Sequence, residues 1–390
     1  MPKKKILILN GSHSEIPLIK AARELGLFVY TTGKNPNFIG HRYANQYIKM
    51  DFSDQIAIYK LSRRLNIDAI CSSANDFSAI TASYVAEKLN LSGHDNYKTT
   101  LIIHQKDKFK RLAEKLNIST PKAISYNSLN SALKNKANFI YPLLVKPVDL
   151  TGGKGITKVI KPLQLKPALE KAYFSSRAKR IIIEPFINGS LHSFSTFLIN
   201  KKVVLYFSDN EYSPVDPFHV TASFSPAVGI ANLKGSLISQ IEKIAASLFL
   251  VDGIFHVQYI KRNNKAYIID VARRCSGDYY PMPVVHSLGI NWAKWIVKAE
   301  MGFDCKKIPR NKPSGFYGRY CIISPSNGIF IKVRIPEVLK SKIINSFKLV
   351  KEGHAVVRQQ KIMIIIMKFK SPKEVTILKK LEKLIRLDIE

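Results

Sequence analysis

Short apolar runs alternate with stretches of helical periodicity from the first residues of the chain. KILILN (residues 5–10) reads as a strand, and SEIPLIKAARELG (14–26) sets Ile16, Ile19 and Leu25 at helical spacing before a stop at Gly26. LFVYTTG (27–33) and DAICSSA (68–74) repeat the strand pattern, while DQIAIYKLSRRLN (54–66) and FSAITASYVAEKLN (77–90) repeat the helical one. This βαβαβα order predicts a parallel sheet with helices on both faces. Ligands of such sheets sit at the carboxyl ends of strands, here near Asn10-Gly11-Ser12, Thr31-Thr32-Gly33 and Ser73-Ala74-Asn75-Asp76. A second region begins at the helix KDKFKRLAEKLN (106–117), and from residue 139 the pattern becomes strands separated by Gly-containing turns. Asn311 to Gly315 (NKPSG) marks a linker into a last region holding the β run KIMIIIMKFK (361–370) and a final helix in SPKEVTILKKLEKLIRL (371–387).

Composition changes this picture little. A chain of 390 residues, 46% of them hydrophobic, has room for two or three domains. The longest apolar run, IMIIIM (362–367), is flanked by lysines and is far short of the roughly 18 residues of a membrane span, so it reads as a buried strand. The amino-terminal apolar run is likewise too short for a secretory signal, and the four cysteines are scattered without metal-type spacing, which together suggest a cytoplasmic protein. The net charge of +33 is spread along the whole length, and no nucleic-acid recognition signature accompanies it. A solvated basic surface that attracts nucleotides and other anions accounts for it, and nucleic acid is disfavoured as a partner.

Candidate chemistry lies in three segments. In PLLVKPVDLTGGKGI (142–156) a β run presents Lys146 and then a flexible loop, Gly152, Gly153, Lys154 and Gly155, whose backbone N–H groups suit phosphate oxygens; the spacing is not the GxxxxGK(S/T) pattern. The first βα turn has a single glycine, which argues against a dinucleotide-binding dehydrogenase. In IIIEPFINGSLHSFSTFLI (181–199) a strand ends at Glu184 and another begins near His192 after a Gly turn. In GIFHVQYIKRNNKAYIIDVARRCSGDYYP (253–281) two strands join at Asn263-Asn264, and period-2 alternation puts His256, Gln258 and Ile260 on one face of the first, with Asp270, Ala272 and Arg274 on one face of the second. Gln258 and Asp270 form an oxygen-ligand pair suited to magnesium, with Arg274 beside them. Each segment alone is also compatible with an ordinary hairpin or solvated corner.

Taken in order, Lys108, Lys146 with the Gly loop, Glu184, then Gln258, Asp270 and Arg274 resemble the ATP-grasp superfamily over residues 1 to 300. LIKAARELG, SSANDFSAITASYVAEKLNLSG and DVARRCSGDYY resemble its carbamoyl-phosphate-synthase-like and carboxylate-amine ligases, a group often associated with bacterial surface-polysaccharide assembly. The resemblance implies a mixed α/β and α+β chain: a parallel α/β pre-ATP-grasp domain at 1–103, a two-subdomain ATP-grasp domain at 104–310, and a small α+β region at 311–390. It also implies ATP with Mg2+ or Mn2+, phosphate contacts from Lys108, Lys146 and the loop Thr151 to Gly155, an adenine hinge at Glu184, Phe186 and Ile187, and a ribose contact near His192. Gln258 and Asp270 would hold metal, and Arg274 with Lys146 would steady the transferred phosphoryl group.

Three positions depart from the family pattern: Gln258 where Glu is usual, Ala272 where Asn is frequent, and Leu191 where a ribose-binding Glu is frequent. A neutral amide offers oxygen but no charge to a metal. The implied activity is activation of a carboxylate as acyl phosphate and its coupling to an amine, with ADP and phosphate released. The partners are then small-molecule carboxylates and amines, with a homodimer left open. The competing readings are a nucleotide-binding regulator that has lost chemistry, a polyanion-binding module, and an ATP-grasp carboxylase. His219 in the loop NEYSPVDPFHVTASFSP (210–226) is expected to help line the acceptor side.

Overall fold

The computed structural model describes residues 2–390, apart from the side chains of residues 375, 376, 378 and 379. The first apolar runs form β1 (Lys5–Leu9), β2 (Phe28–Gly33) and β4 (Ala69–Cys71), with α1 (Ile16–Glu24), α2 (Gln55–Leu65) and α3 (Asp76–Leu89) between and after them. All pairs are parallel, in the order β3-β2-β1-β4. The added strand β3 (Gln46–Lys49) is a short polar edge strand without apolar alternation, which is why the sequence pattern passes over it. Ile6 and Ile8 pack on the α1 face, and Leu7 and Leu9 on the α2–α3 face, so both faces of the sheet are covered.

Helices α4 (Tyr97–His104) and α5 (Lys106–Lys115) lead into a small antiparallel sheet of β5 (Ile124–Tyr126), β6 (Leu143–Pro147), β7 (Thr157–Val159) and β8 (Ile181–Pro185), in the order β5-β8-β6-β7. Helices α6 (Leu129–Lys134) and α7 (Leu165–Ser175) cover this sheet, burying Val145, Leu169 and Ile183 in a core of its own.

The chain then enters a larger sheet through β9 (Ser190–Ile199), β10 (Lys202–Tyr212) and β11 (Ala222–Ser225), passes along α8 (Ile230–Ser247), and returns through β12 (Gly253–Arg262) and β13 (Lys265–Ala272). Asn263 and Asn264 both take positive φ, the condition of a tight two-residue hairpin turn. After α9 (Pro281–Leu288) and α10 (Trp292–Glu300) come β14 (Phe316–Ile323), β15 (Gly328–Arg334), α11 (Glu337–Lys340), β16 (Ile343–Lys348), β17 (Ala355–Val356), β18 (Lys361–Phe369), α12 (Leu381–Leu384) and β19 (Arg386–Ile389). The large sheet runs β13-β12-β9-β10-β11-β14-β18-β16, so the apolar run near the end of the chain is β18, an interior strand next to the edge of the same sheet that carries Gln258. β15, β17 and β19 form a separate three-stranded sheet.

The expected final helix is absent. Pro372–Lys380 is 3-10 helix, α12 is one turn long, and the last residues form β19 against β15. Pairing of the last residues with the edge of β15 satisfies their backbone groups instead.

Candidate active site

A cavity of about 580 Å³ lies between the small sheet and the large one, with the parallel domain and the carboxyl-terminal strands closing one end. Its size falls within the ~300 to 1,000 Å³ usual for ligand pockets.

The small-sheet wall is built on β6 and β8, where Leu144 pairs with Glu184. Lys146 and Glu184 are buried and form an ion pair, and Lys110 from α5 reaches the other carboxylate oxygen at 3.1 Å. Burial alone would raise Glu184, but Lys110 and Lys146 outweigh it and hold the carboxyl down to about 2. Phe186 and Ile187 line the cavity just beyond, with the Lys158 ammonium 3.6 Å from the Phe186 ring centre.

The helix contributes a different lysine from the one expected. Lys106 lines the cavity, donates to the Leu150 carbonyl at 2.9 Å and stands 3.5 Å from Asp270. Lys108 does not line it; its charged neighbours are Arg180, Asp107 and Arg111. At roughly 100° per residue, Lys108 is turned about 200° from Lys106, whereas Lys110 returns to the same face.

The glycine loop meets the cavity through Thr151, Gly152, Gly153 and Ile156, while Lys154 is exposed and Gly155 packs on Pro147 and Ser175. Gly153 has φ +75°, and a Cβ there would lie 2.3 Å from the Phe218 carbonyl oxygen. Phe218 and His219 belong to the connection between β10 and β11, and both line the cavity. Burial, then the nearby Lys361, lowers the His219 imidazole below its usual value.

The large-sheet wall follows strand parity. Gln258 lies opposite Ser193 on β9 and Asp270 on β13, and Ile260 lies opposite Leu191; His256, Gln258, Ile260, Leu191 and Asp270 all line the cavity. Tyr259 lies opposite His192, one position out of phase, so both face the other side. There the His192 and Tyr259 rings stack at 5.2 Å, and His192 Nε2 lies 2.6 Å from the Ser190 hydroxyl. Burial, with Lys261 nearby, takes His192 down to about 4 and keeps it neutral. The expected ribose histidine is thus a packed core residue, and Leu191 holds the cavity position.

Two carboxylates on β10 escape the sequence patterns singled out above. Glu211 lines the cavity and accepts from the Gln258 amide at 2.7 Å; burial, then Asp209, pushes it up to about 8. Asp209, also raised by burial, to about 6, ends a chain of hydrogen bonds. Ser193 donates to Asp209, Tyr280 lies 2.9 Å from Ser193, Ser195 donates to Tyr280 at 3.1 Å, and His256 Nδ1 lies 2.6 Å from Ser195. With Asp209 ionised, each hydroxyl donates once toward it, so Nδ1 of His256 must carry the proton. Nε2 is left with a bare lone pair and no hydrogen bond among the described residues. Burial, reinforced by Arg274 and Arg319, takes His256 down to about 3 and keeps the ring neutral.

At the closed end Arg274 pairs with Asp76, itself 3.1 Å from His104. Burial opposes ionisation of Asp76, yet Arg274 and His104 hold its carboxyl well below the usual range. Asp278 bridges the three regions of the chain: His13 at 3.0 Å, Lys361 at 2.6 Å and Arg319 at 3.7 Å. Of the expected ligand-binding strand ends, the last opens here through Ala74, and the first reaches the cavity only through His13 and Ser14 just beyond Ser12. Gly11 is covered by the His41 ring and Asn10 donates to Glu15.

Gln258 and Asp270 face each other across the ladder and offer oxygen donors, which fits a magnesium ion held mainly by nucleotide phosphates. Among the described residues no three His, Cys, Asp or Glu side chains gather to hold a metal unaided.

Two sheets grip a cavity lined by lysines on one side and oxygen donors on the other, and residues 103–278 match the family described as an ATP-grasp domain. It is 27% identical over 319 residues to formate-dependent phosphoribosylglycinamide formyltransferase of Prochlorococcus marinus subsp. pastoris, covering 80% of each protein. It is 23% identical over 314 residues to the carbamoyl phosphate synthase large chain of Thermoanaerobacter sp., 77% of this chain but 28% of that much longer one. Among solved structures, L-amino acid ligase from Bacillus licheniformis superposes with a TM-score of 0.84 at 19% identity over 100% of both chains. Phosphoribosylglycinamide synthetase from Anaerococcus prevotii gives 0.77 at 20% identity, again over 100% of both. These two likenesses show the shared fold. No helix among the described residues is long and apolar enough to cross a membrane.

Proposed function

We propose that the protein is an ATP-dependent ligase that activates a carboxylate as its acyl phosphate and couples it to an amine. The observation that carries this reading is the single cavity in which Lys106, Lys146 and Glu184 face Gln258, Asp270 and Arg274. The relatives named above supply the chemistry by likeness.

In this reading the adenine lies against Phe186 and Ile187, and Lys146 and Lys106 receive the phosphates. Gln258 and Asp270 would hold Mg2+ or Mn2+, which neutralises phosphate charge when bound. A substrate carboxylate oxygen attacks the γ-phosphorus and ADP departs; Arg274 offsets the charge on the phosphoryl oxygens in flight. The amine then attacks the acyl carbon, phosphate leaves, and a proton is lost from nitrogen. The loops that meet at Gly153 and Phe218 exclude water from the acyl phosphate. His256 Nε2, an acceptor between Arg274 and Arg319, suits the N–H of the incoming amine.

The test is calorimetry of Mg·ADP with the full chain and with Lys146→Ala. Wild type is expected to bind and the variant to lose at least ~1.4 kcal/mol, a tenfold weakening; absence of binding by wild type overturns the reading. ADP release that requires a carboxylate then separates a ligase from a nucleotide-binding regulator, the alternative favoured by Gln258 and Ala272. Carboxylates from surface-polysaccharide assembly are the first set to screen.

A further inference from the structure

The neutral residue at the metal position has a carboxylate behind it. Gln258 on β12 and Glu211 on β10 are separated by the intervening strand β9, yet both side chains rise from the cavity face of the large sheet and meet at 2.7 Å. In this contact the Gln258 Nε2 amide group is the donor and a Glu211 carboxylate oxygen the acceptor. This orients Gln258 and leaves Oε1, its only lone-pair atom, without a hydrogen bond among the described residues. Asp270 sits directly opposite Gln258 in the β12–β13 ladder. The cation side of the cavity therefore presents an amide oxygen, one carboxylate beside it, and a second carboxylate that has moved two strands away.

We propose that Glu211 replaces the carboxylate missing at residue 258, holding Gln258 with its oxygen toward the divalent cation of the nucleotide and supplying the second negative charge of the metal site. This rests on the nucleotide reading above. A carboxylate bonded to a metal-ligating side chain both fixes that ligand and raises its electron density, and loss of such a partner commonly costs ~10- to 100-fold in metal affinity. The pairing makes Gln258 a metal ligand in its own right, because a free amide in the same place could equally turn its NH2 group toward the ion.

Mn2+ serves as the probe, with ADP as the nucleotide. Free Mn2+ is followed by electron paramagnetic resonance as it is titrated into full-length protein saturated with ADP, and metal-free ADP binding is measured separately by calorimetry in chelator. Glu211→Gln is expected to weaken Mn2+ at least tenfold beyond any change in metal-free ADP affinity. The swapped variant Glu211→Gln with Gln258→Glu is expected to recover most of that loss, because it returns the carboxylate to β12. Unchanged Mn2+ affinity in Glu211→Gln overturns the proposal, as does an equal loss of ADP with and without metal, which would make Glu211 a packing residue. If wild type binds ADP with chelator present but never gains Mn2+, the metal assignment fails while the nucleotide site stands. If wild type binds no ADP at all, the ligase reading falls and this proposal with it.

Discussion

The two walls of the cavity solve the problem of buried charge in opposite ways. On the small-sheet wall two lysines meet one carboxylate, and Glu184 is held down to about 2. On the large-sheet wall Asp209, Glu211 and Asp270 stand together, and Glu211 rises to about 8 because its burial is compounded by its neighbours. The first wall keeps its carboxylate ionised and one lysine charge in excess. The second gathers carboxylates whose burial disfavours their charge. On the proposed reading, the first wall would receive the anionic nucleotide and the second its cation.

The comparison breaks most sharply at Lys110. Lys110→Met leaves Glu184 paired with Lys146 alone and removes one charge-assisted bond, which costs roughly 1.5 to 3 kcal/mol. Urea denaturation at pH 7 should show a loss of about 2 kcal/mol; a loss below about 0.5 kcal/mol would mean Glu184 does not depend on paired lysines.

Glu211→Gln should act in the opposite sense on the ligand-free protein. Burial, then Asp209, pushes the folded-state carboxyl up to about 8 from 4.5, so its penalty is absent below pH 4.5, builds between pH 4.5 and 8, and levels off above that. Thermal or urea unfolding should find the variant more stable than wild type by about 2 kcal/mol at pH 8.5, with the difference vanishing near pH 5. Equal stability at both pH values would remove the claim that this wall is overcharged.

The smallest contrast lies on one helix. Lys106→Ala should weaken ADP about tenfold, whereas Lys108→Ala should stay within about twofold, both by calorimetry. Equal losses would return Lys108 to the site.

Strand parity made much of the large wall legible beforehand. Once the turn at Asn263-Asn264 is recognised, alternation alone puts His256, Gln258, Asp270 and Arg274 together. The same rule turns against prediction when the phase is uncertain by one residue, as at Leu191 and His192, where only the pairing of Tyr259 with His192 settles which side faces the cavity. On α5 three lysines alternate at 106, 108 and 110, and nothing local says which face packs against β8. Glu211 was illegible for a different reason. Its partner Gln258 is 47 residues away, and their meeting depends on the order of three strands. The parallel domain was read from its apolar strands, while its polar edge strand β3 and the end of the chain, where β19 replaces a helix, depend on pairing that the apolar pattern does not encode.

Gly153 and Phe218 form a seam across the roof of the cavity, closed so tightly that the backbone of one loop rests on the carbonyl of the other. On the proposed reading, parting of this seam would ease nucleotide entry and product escape. A side chain at residue 153 would wedge the seam ajar. Under the ligase proposed above, exchange would quicken, and an acyl phosphate reached by solvent would be lost to hydrolysis before an amine arrived.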